Sequence, residues 1–269
     1  TLIQPPQKRI SLNLKELWDY RELIFFLSWR DLKVRYKQTI IGILWAVLQP
    51  FLTMVVFSIF FGYFAKIQSD GIPYPIFSYA ALVPWTFFAT SLSRASNSLV
   101  LDLYLIKKVY FPRLILPIAS VLPGLVDVFF SFLLLLLIMP FFGVSFSWQI
   151  LALPLFLLLT LFIALAIGIW LSALNAQFRD IIYTVPFLIQ IWLFATPVIY
   201  SSNVIAEPWR TFYGLNPMVC VIDGFRWALL GTPLHIDSMQ GLSVFMIFIL
   251  FVTGLFYFRS LENKLADII

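Results

Sequence analysis

One histidine, His235, and one cysteine, Cys220, set narrow limits on the chemistry this 269-residue sequence can hold. A single thiol excludes an internal disulfide and any multi-thiolate metal site. A single imidazole excludes an HExxH pair, and it leaves a Ser-His-Asp arrangement only if His235 is its base. His235 lies near Asp223 and Asp237, the one local cluster a membrane-embedded transferase would use. A lone histidine near two acids in a loop is usually incidental. No GxxxxGK[ST] run occurs, so no phosphate-cradling loop for nucleotide hydrolysis is expected in this chain.

The remaining chemistry is carried by ions at membrane borders. Asp127 is the only acid well inside an apolar stretch. A carboxylate there costs about 3 kcal/mol on insertion scales, so it is expected to face other helices and to have a partner. Lys33, Arg35 and Lys37 cluster just before the first long apolar run, where cations bind phosphates by charge-assisted hydrogen bonds or simply anchor the chain. Residues 99–113, LVLDLYLIKKVYFPR, read as a short apolar and basic helix with Leu99, Leu103, Ile106 and Tyr110 on one face. Its Asp102, Lys107 and Lys108 suit a soluble partner, and a loop lying on the membrane has the same composition.

Positioning these groups falls to a membrane-embedded helical frame. The chain is 61% hydrophobic, 18% aromatic and 12% charged, with a mean hydropathy of +0.95. Soluble domains carry about 25% charged residues, so a cytosolic enzyme, a disordered chain and a secreted disulfide scaffold are excluded. Spans of about 20 residues that cross a ~30 Å hydrocarbon layer are expected at 40–64, 75–97, 114–141, 149–173, 183–202 and 241–258. The second is the weakest, its end made polar by Ser91, Ser93, Arg94, Ser96 and Asn97. Pro117, Pro123 and Gly124 predict a kink in the third that neighbouring helices must satisfy.

Two segments flank the spans differently. Residues 1–39 hold eight of the 18 basic residues and no cleavable signal peptide is expected there. Asn13 with Glu16 marks a helix start. Leu14, Leu17, Trp18, Phe25, Trp29, Leu32 and Tyr36 then share a face, the pattern of a helix lying in the interface. Residues 203–240 are too short and too charged to cross, and read as a re-entrant or interfacial helix pair whose second helix begins at Asn216-Pro217. Six spans would put both termini on one side, with 15 basic residues on it against Lys66, Arg210 and Arg226 on the other. The positive-inside rule makes that side cytoplasmic, and topology explains the +5 net charge without nucleic acid.

WRDLKVRYKQTIIGILWAVLQP (29–50), ALVPWTFFATSLSRASNSLV (81–100), LIKKVYFPRLILPIASVLPGLVD (105–127), NAQFRDIIYTVPFLIQIWLFATPVIYS (175–201) and LNPMVCVIDGFRWALLG (215–231) resemble the polysaccharide-exporting permeases of ABC-2 type transporters. The similarity runs in order through most of the chain. It implies an all-α integral membrane protein of six transmembrane helices, with an N-terminal interfacial helix and a re-entrant pair between spans five and six. The implied layout is a cytoplasmic N-terminus at 1–39, a transmembrane domain at 40–258 and a cytoplasmic tail at 259–269, in a bacterial inner membrane. It implies a homodimer driven by two separate ATPase subunits that bind ATP and Mg, so this chain is not itself an enzyme and needs no cofactor. Any domain recognising polymer ends would then sit on the ATPase partner or be absent.

The resemblance assigns docking on that partner to the loop carrying Asp102, Tyr104, Lys107, Lys108, Tyr110 and Arg113. The implied cargo is a lipid-linked polysaccharide such as O-antigen, with Lys33, Arg35 and Lys37 as candidates for its diphosphate. Sugar C–H faces stack on aromatic rings. Trp45, Phe51, Phe60 and Tyr63 of span one, and Trp192, Phe194 and Tyr200 of span five, are therefore candidates for the channel. Alternatives are an ABC-2 exporter of a small molecule or lipid, and more remotely a membrane-embedded glycosyl- or acyltransferase or a non-transporting scaffold.

Overall fold

The computed structural model describes residues 14–37, 42, 44–145, 147–178, 180–234 and 237–268, and the described residues are predominantly α-helical. Two short helices come first, α1 (Leu14–Asp19) and α2 (Arg21–Lys37). Next are α3 (Leu44–Phe57), wound as a π-helix over Ser58–Phe64, and α4 (Tyr74–Leu101). They are followed by α5 (Leu103–Lys108), α6 (Ile115–Val121), α7 (Gly124–Ile138) and α8 (Leu153–Gln177). The chain ends with α9 (Ile181–Phe194), α10 (Trp209–Tyr213), α11 (Pro217–Leu230) and α12 (Ser238–Ile268).

Among the described residues, five stretches are long and apolar enough to cross a membrane: Leu44–Phe64, Tyr74–Lys108, Ile115–Phe142, Trp148–Gln177 and Ser238–Glu262. The expected fifth span, 183–202, differs. Its helix α9 has 14 residues, about 21 Å at 1.5 Å per residue, and from Ala195 the chain is irregular. Pro197 cannot donate to a helical ladder, and the buried side chains of Thr196, Val198 and Ile199 anchor the irregular stretch in the protein. The expected helix over 99–113 also divides, into the end of α4 and the six residues of α5.

The core forms around α4, which packs on α3, α6, α7, α8 and α11. The α4–α8 approach is close because Gly168 has no side chain: a Cβ there would lie 2.6 Å from the Ala95 Cβ. Small residues at a helix crossing let backbones approach in this way. A polar seam runs along the same interface, with Ser98 and Ser172 hydroxyls 3.2 Å apart and Asn175 donating to Ser96 O at 2.9 Å. The polar end that weakens span two in the sequence is this seam.

The expected proline kink falls between α6 and α7. Pro123 has no N–H for the carbonyl of Ala119, four residues back. The Ser28 hydroxyl of α2 donates to that carbonyl at 3.0 Å. Pro50 leaves Ala46 O in the same condition within α3, and Ser131 of α7 donates to it at 3.1 Å.

The segment α1–α2 has two apolar faces, one packed on the protein and one left exposed. Leu17, Tyr20, Leu23, Ile24 and Leu27 pack inward, while Trp18, Phe25, Phe26, Trp29 and Val34 are exposed. A turn at Tyr20 separates α1 from α2, but Tyr20 N–H donates to Glu16 O and Ile24 N–H to Tyr20 O, so one helical phase runs through it. The expected helix-capping Asn13 lies outside the described residues.

Candidate functional site

Four elements meet around a cavity of about 630 Å³. The end of α2 brings Arg35 and Tyr36, and the start of α3 brings Trp45, Ala46 and Gln49. Helix α4 presents Thr86 and Thr90, and the first turns of α7 present Asp127 and Ser131. The lining is mainly apolar with a few converging polar groups, the usual character of a ligand site.

Asp127 has the partner its depth demands. Its two carboxylate oxygens accept from the Arg35 guanidinium and from the Tyr36 hydroxyl. Two candidates that the sequence lists separately, the entrance arginine and the intramembrane acid, are therefore one unit. Burial pulls the Arg35 pKa below its ordinary value, with Tyr36 and Asp31 pulling the other way, and the guanidinium keeps its charge. Arg94, one helical turn beyond Thr90, lies within electrostatic reach of Arg35, Tyr36 and Asp31. In the sequence Arg94 figures as part of the polar end of span two and as a topology signal, and a cation inside that polar end is what could have marked it as a site residue. Lys33 and Lys37 are exposed, away from the ion pair, and line a shallow groove of about 360 Å³ with Phe26, Trp29 and Arg30.

The same helix reaches the segment 99–113. Arg30 binds Asp102 through both terminal nitrogens, at 2.9 and 3.0 Å, and Asp31 at 2.8 Å. The hydrogen bond to Asp102 is the largest influence holding the Arg30 pKa above its ordinary value. Arg113 is also engaged within the chain, its guanidinium donating to Glu262 O at 2.8 Å. Tyr104 and Tyr110 are exposed, and the Lys108 ammonium sits 4.0 Å from the Tyr104 ring centre. Leu101, Lys107 and Val109 complete an exposed apolar and basic surface. Tyr110 leaves the face on which the sequence placed it with Leu99, which is buried.

At the other end, Asn216 starts α11 as expected, its side chain accepting from the Met218 N–H. The same amide donates to Ala195 O at 2.9 Å and accepts from the Trp192 indole at 3.1 Å. Arg226, read in the sequence as an outer loop charge, is buried: it donates to Val198 O at 3.0 Å and Tyr200 O at 3.2 Å, and stacks on Phe77. Among the aromatic candidates, Trp45, Phe60, Tyr63 and Phe194 are exposed. Phe51 packs on the core, Trp192 packs edge-on to Phe88, and the Tyr200 hydroxyl donates to Phe194 O and meets that of Tyr213 at 2.9 Å. Asp223 and Asp237 line a cavity of only about 20 Å³, room for one water, and His235 lies outside the described residues.

A bundle with five helices long and apolar enough to cross a bilayer among the described residues defines a multi-pass membrane protein. The chain belongs to the ABC-2 type transporter family, whose model matches residues 22–230. It is 33% identical over 216 residues to an O-antigen export system permease protein RfbA of Myxococcus xanthus, covering 79% of this chain and 82% of that protein. An RfbA of Klebsiella pneumoniae is 30% identical over 97% of this chain and 99% of its own length. A polysialic acid transport protein KpsM of Escherichia coli is 23% identical over 88% of this chain and 92% of its own.

Proposed function

We propose that this chain is the membrane half of an ATP-driven exporter of a lipid-linked polysaccharide, two copies forming the pathway and two separate ATPase subunits driving it outward from the cytoplasmic side. The observation that carries the reading is the Arg35–Asp127 cavity between α2, α3, α4 and α7. It offers a cation for a phosphate headgroup, an indole for a sugar ring and threonine hydroxyls for its polar edge. The O-antigen and polysialic acid names of the relatives favour a polymer as cargo.

Both termini are then cytoplasmic. That orientation follows if α9 crosses together with the irregular residues 195–201, an arrangement membranes tolerate where the broken backbone is satisfied by protein. The Arg226 and Asn216 hydrogen bonds supply that satisfaction. The exposed faces of α3 and α9 form the pathway and the contact between copies, with Trp45, Phe60, Tyr63 and Phe194 as sliding surface. Trp192 and Tyr200 serve as wall. Tyr104, Lys107, Lys108 and Tyr110 meet the ATPase, which supplies ATP and Mg chemistry, while Asp102 and Arg113 brace the loop from within.

The test is purification of the complex from native membranes, with ATP hydrolysis measured as a function of added lipid-linked polymer. A co-purifying ATPase that is released by Tyr104→Ala with Tyr110→Ala, and stimulated by polymer-linked lipid, supports the reading. The cavity volume also suits a drug-sized molecule. Stimulation by small amphiphiles and none by polymer-linked lipid would move the assignment to a small-molecule exporter.

A further inference from the structure

Three arginines and three aspartates gather beside the cavity, but their pairing is uneven: Arg30 takes two acids, Arg35 one and Arg94 none. Arg35 and Arg94 lie close enough to repel each other, while Asp31 is already held by Arg30. Asp127 is in contact with Arg35, while Asp31 acts on both arginines from a distance. Arg94 makes no hydrogen bond or ion pair to any described residue. A half-buried guanidinium with five unused donors beside a second one is a place built for an anion with more oxygens than one carboxylate offers.

Helix α2 also carries two separate grips. Arg35 holds α7 through Asp127, and Arg30 holds the start of α5 through Asp102. The two arginines are five residues apart, about 7.5 Å along the helix axis. Whatever moves one end of so short a rigid segment moves the other.

We propose that Asp127 is a displaceable latch. Its carboxylate holds Arg35 and Tyr36 until a phosphate or diphosphate group arrives from the cytoplasmic leaflet and takes Arg35 and Arg94 in its place. Release of α2 from α7 then passes through Arg30–Asp102 to the docking helix α5, so the ATPase is told that cargo is present. The ligand drives the change because it binds the released form better than the latched one, as any ligand-driven shift requires. This rests on the reading that the cavity receives a phosphate-bearing lipid headgroup.

The experiment uses the complete complex with its co-purified ATPase in nanodiscs. Binding of labelled undecaprenyl diphosphate and ATP turnover are measured side by side, with inorganic pyrophosphate at fixed free magnesium as the soluble comparison. Asp127→Asn is expected to raise basal turnover by about 5-fold or more, the low end of typical coupling between sites, and to abolish further stimulation while binding is kept or tightened. Asp102→Asn is expected to bind the diphosphate like the wild type and to show no stimulation. Should Asp127→Asn fail to assemble, Tyr36→Phe, which retains every charge, is expected to raise basal turnover in the same direction by a smaller factor.

Basal turnover and stimulation at wild-type levels in Asp127→Asn or, where that variant does not assemble, in Tyr36→Phe, with binding intact, would overturn the latch and leave the site standing. Undiminished diphosphate binding by the Arg35→Gln/Arg94→Gln double variant would instead overturn the site and the latch together. Pyrophosphate reproducing the stimulation would support the latch with a soluble trigger.

Discussion

Helices α3 and α4 lie side by side, and their hydropathy and their burial run in opposite directions. The most apolar stretch of α4 is 78% buried, although the helix carries Ser91, Ser93, Arg94, Ser96 and Asn97. The corresponding stretch of α3, with no charged residue between Leu44 and Phe64, is only 11% buried. In water this order would be reversed. In a bilayer apolar surface is exposed at little cost, and polar groups gain by facing other helices. The helix that hydropathy ranks lowest is accordingly the one at the centre. Helix α9 sits with α3: Val185 is its one buried residue, yet Tyr183, Thr184 and Gln190 are exposed on it.

The largest test of that contrast is at the α4–α8 crossing. Gly168→Leu forces a side chain into space the Ala95 methyl occupies, and overpacking of this kind costs about 3 kcal/mol. We expect loss of folded protein, read as absence of a monodisperse peak in mild detergent. Gly241, where a Cβ meets nothing within 4 Å, is the control, and Gly241→Ala should leave the peak intact.

Next in size is Arg226→Met, which removes the donors to Val198 O and Tyr200 O and leaves buried carbonyls unpaired. A loss of about 2 kcal/mol is expected, with a lowered thermal midpoint. Unchanged stability would mean that the irregular stretch after α9 does not depend on its buried cation, and the proposed crossing of that segment would lose its support.

A smaller effect separates the two kinds of exposed face. Gln190→Leu on α9 touches no partner in the protomer, so folded stability should stay within about 0.5 kcal/mol. Export, or self-association measured by cross-linking in membranes, should fall if that face meets a second copy or the polymer. If both are unchanged, the face meets lipid.

How much of this was legible depended on whether a signal was local. Five spans follow from apolar length, and the α11 start from Asn216-Pro217, because both rest on neighbours in sequence. That Asp127 needs a partner was also legible, from the cost of a lone carboxylate. Which partner was not, since Arg35 lies 92 residues away and looked like ordinary anchoring. Arg226 was misplaced for a related reason: within a segment too short to cross, a charge reads as exposed, whereas here the carbonyls of a broken helix bury it. That Tyr20, Leu23, Ile24 and Leu27 pack on the protein was not legible, because their partners lie on α6, far along the chain.

The finest comparison is between the two serines that satisfy proline-orphaned carbonyls. Ser28 serves Ala119 O and Ser131 serves Ala46 O, at nearly equal distances. Ser28 also donates to Ile24 O of its own helix, and the carbonyl it serves belongs to Ala119, which is 2% exposed. Ser131 is itself 5% exposed, but the carbonyl it serves belongs to half-buried Ala46, and both residues line the large cavity, where water can take the donor's place. Alanine at either position removes the same donor, but a carbonyl left dry bears the full desolvation cost, about 1–3 kcal/mol, and one that water reaches bears a fraction of it. Ser28→Ala should therefore lower the thermal midpoint measurably more than Ser131→Ala. Equal effects would mean that water reaches both carbonyls alike, and the contrast between packed and cavity-lining backbone would fail at the point where it is most sharply drawn.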